Sequence, residues 1–269
     1  MKPENYQIIM TKQQIYEIAL TQSAIDCACA PEDFTAQDNR LFVSRANPDA
    51  RRYLELPHIL NLVSYGTNIV ATGREELLPE VRAYLDSLEA VYRAFETPAL
   101  YRLNALLVPH DAAVCFMAHY FLPDPDAVNA FQSRCPYELN VLYPEDFAGL
   151  YLPEWSNALC KKRAHLDVLA VGAYDGGRLV GMAGCSADCD SMRQIGVDVL
   201  PEYRRQGIAS AVTNTLAKIV LDDGLVPFYC AAWSNVKSSR TAIRAGFRPA
   251  WVEATAKSWA FIRGMEEKS

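Results

Sequence analysis

The chain has 269 residues, 51% hydrophobic and 22% charged, which excludes a small disulfide-stapled peptide and leaves ample apolar material for a full core rather than a disordered chain. Its 26 basic and 32 acidic residues give a formal charge of −6, and beyond Lys161, Lys162 and Arg163 no dense basic block exists, so duplex nucleic acid is a poor partner. The mild acidic excess favours the approach of cationic small molecules.

The eight cysteines, including CAC at 27–29 and CSADC at 185–189, match no common zinc spacing and read as reduced core thiols. His58, His110, His119 and His165 stand singly, without metal-ligand spacing, so no metal is expected. The start, MKPENYQ, lacks the pattern of a signal peptide, and no uninterrupted apolar run reaches the roughly 18 residues a membrane span needs. The sequence therefore predicts a cytoplasmic protein with no membrane partner.

In chain order, Ile15, Ile18, Ala19 and Ile25 recur at helical spacing, and Pro31 ends that helix. Residues 59–71 read as a strand interrupted near Gly66. Glu75 and Glu76 then open a helix striped by Leu77, Val81, Tyr84, Leu85, Leu88, Val91 and Phe95. Thr97 and Pro98 start another helix carrying Leu100, Leu103, Leu106 and Leu107, and 112–122 is a buried strand. PDPD at 123–126 punctuates the chain, and a domain junction is placed near residue 133. Beyond it come a strand at 137–143, a helical region within 145–164, and a hairpin turning at Asp175, Gly176 and Gly177.

Residues 192–224 read as an apolar strand, an Arg-rich loop and a helix striped by Ile208, Ala211, Val212, Leu216 and Ile219. Gly207 lets backbone approach a ligand, and the amides at the helix start favour an anion there, with Arg204 and Arg205 adding charge. A strand at 225–233, a helix opened by Ser234 or Asn235 and closed at Gly246, and a final strand pair within 249–261 complete the chain.

RRQGIA at 204–209 fits the (Q/R)xxGx(G/A) diphosphate loop, and VDVLP at 197–201 the Pro-ended strand before it. On these motifs residues 137–262 resemble the GNAT superfamily of N-acetyltransferases, and the whole chain resembles two-part bacterial GNAT proteins. The resemblance implies an α/β fold. Residues 134–269 would form the GNAT domain, a mixed, mostly antiparallel sheet with splayed central strands and flanking helices. A smaller α/β domain, residues 1–133, would precede it and help form the acceptor pocket.

It also implies acetyl-CoA as co-substrate, its pantetheine lying in the gap between two splayed strands, with Gly196 marking a bulge where the splay starts. The main chain of Val197 and Val199 would bond the pantetheine and the acetyl carbonyl. The backbone of Arg204, Arg205, Gln206, Gly207, Ile208, Ala209 and Ser210 would hold the diphosphate, and Asn235 and Ser238 would reach the arm.

Direct transfer needs a neutral amine, and an alkylamine of pKa near 10.4 is neutral about once in 2,500 molecules at pH 7, a pre-equilibrium of roughly 4.6 kcal/mol. The positions where many relatives keep a basic Glu or His are Arg193 and Ile195, and the usual acidic Tyr is Ala242. Asp198 is the only acid on the strand, readable either as a base or as a carboxylate holding nearby backbone. Tyr229, Tyr203 and Cys230 are alternative proton donors, and Tyr229 is taken with Asp198 as the catalytic pair. The expected activity is N-acetylation of a primary amine on a small molecule or peptide. The alternative is an acyl-CoA-binding sensor or scaffold without turnover. Acceptor identity and oligomeric state are left open by the sequence.

Overall fold

Helices form here where apolar side chains repeat along one face, and strands where β-branched and small residues alternate or run together. A computed structural model describes residues 10–267. Its elements are helix α1 (Lys12–Cys27), strands β1 (Arg40–Val43), β2 (Leu60–Ser64) and β3 (Val70–Gly73), helices α2 (Leu78–Asp86) and α3 (Thr97–Leu107), strand β4 (Ala112–Pro123) and helix α4 (Pro125–Asn129). There follow β5 (Glu138–Leu142), β6 (Asp167–Asp175), β7 (Arg178–Ser186), β8 (Met192–Val199), α5 (Ile208–Asp222), β9 (Val226–Ala232), α6 (Val236–Arg244), β10 (Phe247–Ser258) and α7 (Trp259–Glu266).

The chain divides into two compact units: one of the described residues up to Ala19 with Phe121–Pro249, the other of Leu20–Tyr120 with the residues from Ala250 onward. β4 and β10 each supply residues to both units.

In the first unit β5, β6, β7 and β8 are antiparallel neighbours, and β9 lies parallel to β8. Ile208, Val212, Leu216 and Val220 of α5 bury their stripe against Val171, Ala173, Val180 and Ile195 of the sheet. Asp124 caps α4 by accepting from the amides of Asp126 and Ala127, a short helix the sequence reading omits.

The helical region expected within 145–164 is absent. That stretch holds only short 3-10 turns at Pro144–Asp146, Pro153–Trp155 and Lys161–Leu166. Pro144 and Pro153 each open a turn, and Pro153 cannot donate to a helical ladder running through it. The expected terminal strand pair is likewise one long strand, β10, followed by α7, which Ser258 caps by accepting from the Phe261 amide.

In the second unit β1 pairs parallel with β3, β2 pairs antiparallel with β3, and β10 pairs antiparallel with β2. The interrupted strand expected at 59–71 is therefore the hairpin β2–β3, turning through Gly66 at φ +107°. The long helical stripe expected from 75 to 95 is broken after Asp86, where the Ser87 hydroxyl donates to the Tyr84 carbonyl, and Val91–Phe95 resume as a 3-10 turn. Leu77, Val81, Leu85, Leu103 and Leu107 still close one core over Leu60, Leu62 and Ala71.

This unit also buries charge. The Arg51 guanidinium, 2% exposed, meets Asp26 at 2.9 Å and lies over the Trp251 ring at 5.4 Å, while the Trp251 indole N–H donates to Glu253 at 2.8 Å. Burial holds the Glu253 carboxyl above its ordinary range, against the opposing pull of Arg51.

Burial, assisted by Lys257, lowers the His58 pKa to about 4. Between that value and the unfolded pKa of about 6.5 the unfolded chain binds a proton that the folded chain refuses, so His58 stabilises the fold above pH 6.5 and loses that contribution as pH falls to 4. The loss amounts to at most about 3 kcal/mol. Urea unfolding of His58→Phe between pH 4 and 7 is expected to show a flatter acid slope than the wild type; parallel slopes would refute this origin.

Candidate functional site

β8 is bonded unequally on its two sides. Against β7 the register runs from Gln194–Ser186 to Val199–Gly181, whereas against β9 it stops at the Ile195–Tyr229 pair. The Leu200 N–H donates to the Val180 carbonyl at 3.0 Å, which sets the phase of the strand: even-numbered residues bond toward β7, odd-numbered ones toward β9. Val197 and Val199 therefore direct N–H and C=O toward a side on which β9 has parted from the ladder. The parting begins at Gly196, as expected, but without a bulge, since the β7–β8 register continues unbroken through it.

The loop after β8 turns into α5 through Arg205 at φ +65° and Gly207 at φ +82°. Gly207 is the N-cap and offers no side chain to the first amides, and Ser210 turns its hydroxyl back to the Gly207 carbonyl at 3.0 Å. The leading amides of α5 thus keep donor capacity at the positive end of a helix of 15 residues. Arg204 and Arg205 are exposed, and Arg204 also donates through Nε to the Val199 carbonyl at 3.2 Å. Gln206 accepts from the Tyr137 hydroxyl at 2.8 Å, so its side chain braces the loop.

A methyl group at Gly207 would lie 3.3 Å from the Arg134 backbone, which places the segment before β5 directly against the loop. Neither Tyr137 nor Arg134 carried a sequence signal, because both approach from about seventy residues upstream.

The far wall comes from β9 and α6. Asn235 caps α6, its side-chain oxygen accepting from the Ser238 amide at 3.1 Å, which leaves its side-chain NH₂ for other partners. Ser238 also shares a hydrogen bond of 2.8 Å with the Tyr229 hydroxyl. Burial raises the Tyr229 pKa above its ordinary value, partly offset by Ser238, so the phenol stays protonated at neutral pH. The other two donors considered lie elsewhere in their bonding: Tyr203 donates to Asp175 at 3.0 Å, and Cys230 faces the Gln194 side chain at 3.7 Å. Ala242 is fully buried in the core.

Asp198 lies on the opposite face of β8 from Val197 and Val199. Its carboxylate accepts from the Asn157 amide at 2.8 Å, the Asn157 side chain at 2.6 Å and the Ala158 amide at 3.0 Å. Arg193 is equally committed, one guanidinium nitrogen donating to the carbonyls of Cys189 at 2.7 Å and Met192 at 2.9 Å, and Ile195 is core. Gly184 and Gly196 face each other in register, and a methyl group on either would collide with a carbonyl oxygen, of Ala158 and Asn157 respectively. Two opposed glycines inside strands leave room for the close approach of other backbone.

Among the described residues, no cluster of three or more His, Cys, Asp or Glu is arranged to hold a metal, and no helix is long and apolar enough to cross a membrane. A cleft of about 470 Å³ lies in the second unit between Asp38, Arg40, Arg82, Asp86 and Glu89, apart from β8, α5 and α6.

The model of the acetyltransferase (GNAT) family matches residues 133–247. No curated protein matches the sequence. Similar solved structures include a GCN5-related N-acetyltransferase-like protein from Streptococcus suis, at 19% identity and TM-score 0.40 over 58% of this chain and 68% of that one. A GNAT-family acetyltransferase from Colwellia psychrerythraea aligns at 18% identity and TM-score 0.43 over 60% of this chain and 63% of that one. A GCN5-related N-acetyltransferase from Kribbella flavida aligns at 17% identity and TM-score 0.44, over 58% and 63%. The chain thus spans about two thirds of the length of these proteins.

Gly196→Ala is expected to destabilise the protein by about 1–3 kcal/mol through overpacking against Asn157, read as a lower urea midpoint; an unchanged midpoint would contradict the close approach. The family match takes in the glycine loop and the start of α5, and residues 133–247 form a domain of the GNAT family.

Proposed function

We propose that the protein is an acetyl-CoA-dependent N-acetyltransferase that transfers acetyl directly to a primary amine on a small molecule or peptide, in the cytoplasm, where thiols such as its eight free cysteines stay reduced. One observation carries the reading: the backbone edge of β8 beyond Ile195, free of the β9 ladder, leads straight into the uncapped start of α5. An extended arm ending in a diphosphate fits that sequence of donors and acceptors, and the family match supports coenzyme A as its owner.

Acetyl-CoA, as co-substrate, brings an activated thioester. The chain's own part is binding and positioning. Val197 offers its N–H and C=O and Val199 its N–H to the arm, and an N–H on this edge polarises the acetyl carbonyl. The amides from Arg204 to Ser210 hold the diphosphate, with the arginine side chains adding charge, while Asn235 and Ser238 meet the arm from α6. Tyr229, protonated and bonded to Ser238, is the proton donor proposed for the departing sulfur. A thiol of pKa about 8.5 needs little such help.

Arg193 and Ile195 offer no base, so the ammonium loses its proton to water and the rate derives chiefly from alignment of the neutral amine with the thioester. No metal enters this scheme.

Isothermal titration with acetyl-CoA and thiol release with a panel of primary amines test the proposal. Wild-type protein is expected to bind and to release thiol with at least one amine; binding without release from any would favour a cofactor sensor. Ala209→Asp provides the structural control. An acid in the first turn of α5 suits the helix dipole and preserves the melting temperature, yet opposes a bound diphosphate, so affinity is expected to fall at least about ten-fold. Gly207 is less suitable for substitution, since its φ of +82° strains any side chain. Wild-type affinity in Ala209→Asp would overturn the placement.

A further inference from the structure

Three aspartates hold the segment that runs from Pro153 to Leu166 between β5 and β6. Asp198 takes the Asn157 and Ala158 amides, Asp167 takes the Cys160 amide at 2.8 Å, and Asp188, buried and bonded also to the Ser186 hydroxyl, pairs with Arg163. The segment has only short 3-10 turns of its own, so its place is fixed from outside. Beneath it Trp155, Ala158 and Leu159 are buried with Phe147, Ala170 and Met182. The carbonyls of Asn157 and Ala158 rest on the sheet where Gly196 and Gly184 carry only hydrogen, a contact of the Cα–H to oxygen type.

Asp198 sits between Val197 and Val199, the residues whose backbone is turned to the open side of β8. A single stretch of strand therefore both presents the edge and anchors the segment. We propose that Asp198 is a positioning residue: it locks Asn157 and Ala158 in place as a fixed wall beside the open edge of β8 and does not itself take the proton from the amine. The proposal rests on the acetyltransferase reading above. Its physical basis is occupancy, because both carboxylate oxygens already accept from the clamp, and an incoming ammonium would have to displace at least one of three donors.

Two substitutions separate clamp from base. In Asp198→Asn the amide oxygen can accept from both backbone N–H groups while its NH₂ donates to the Asn157 side-chain oxygen once that amide turns over, so all three hydrogen bonds survive and the basic group is lost. Asp198→Ala loses both. Amide hydrogen exchange, acetyl-CoA titration and steady-state kinetics across pH are measured on the full chain.

For Asp198→Ala the expected result is exchange at Asn157 and Ala158 faster by about ten-fold or more, acceptor KM raised about ten-fold, and acetyl-CoA affinity within about two-fold of wild type. Asp198→Asn is expected to restore both the protection and the acceptor KM, with a wild-type pH profile. An Asp198→Asn enzyme whose kcat collapses at unchanged KM, or which loses the acidic limb of its profile, would overturn the proposal and make Asp198 the base. Wild-type exchange at both amides in Asp198→Ala would overturn the clamp. Wild-type protein that releases no thiol with any amine would defeat the acetyltransferase reading instead, leaving the clamp to be judged by exchange alone.

Discussion

The unequal bonding of β8 governs the functional half of this molecule. A central strand normally spends its donors and acceptors on two neighbours. Here the β7 side is complete and the β9 side ends at Ile195. Past that point the strand must find partners elsewhere, and the side chains around it are arranged accordingly. Apolar Val197 and Val199 point into the α5 core, Asp198 points to the opposite face, and Gly196 leaves space for backbone. Without the parted ladder, the glycine loop at the start of α5 would be one helix N-terminus among several.

Carboxylates act in this fold mainly as anchors. Asp198, Asp167 and Asp188 each take protein donors, and in the second unit Asp26 pairs with the buried Arg51. Asp198 and Asp167 reach backbone amides of the 153–166 segment, and Asp188 reaches its Arg163 side chain. A segment poor in regular hydrogen bonding needs such acceptors, because buried amides without partners are costly. The arrangement holds the 153–166 segment in one place on the sheet without regular secondary structure of its own.

Charge is distributed against the average. The chain is acidic overall, yet Arg204 and Arg205 flank the positive end of α5, with Arg134 beside Gly207. Net charge influences encounter at long range, but an anion docking on this loop experiences the local amides and guanidinium groups.

The sequence by itself determined the order strand, glycine loop, helix, strand, helix across residues 192–245, the β6–β7 hairpin and the GNAT likeness, because each rests on local periodicity or on turn residues a few positions apart. It also marked Arg193, Ile195 and Ala242 as unable to serve as base or acid. Only the tertiary structure decided that the 145–164 region is not helical, that β10 runs unbroken into α7, and that β4 and β10 each contribute to both units. It alone showed that Asp198 is occupied by a segment 41 residues upstream and that Tyr229 meets Ser238. These outcomes depend on hydrogen bonds and steric fits between distant parts of the chain, and such contacts leave no periodic trace in the residues that make them.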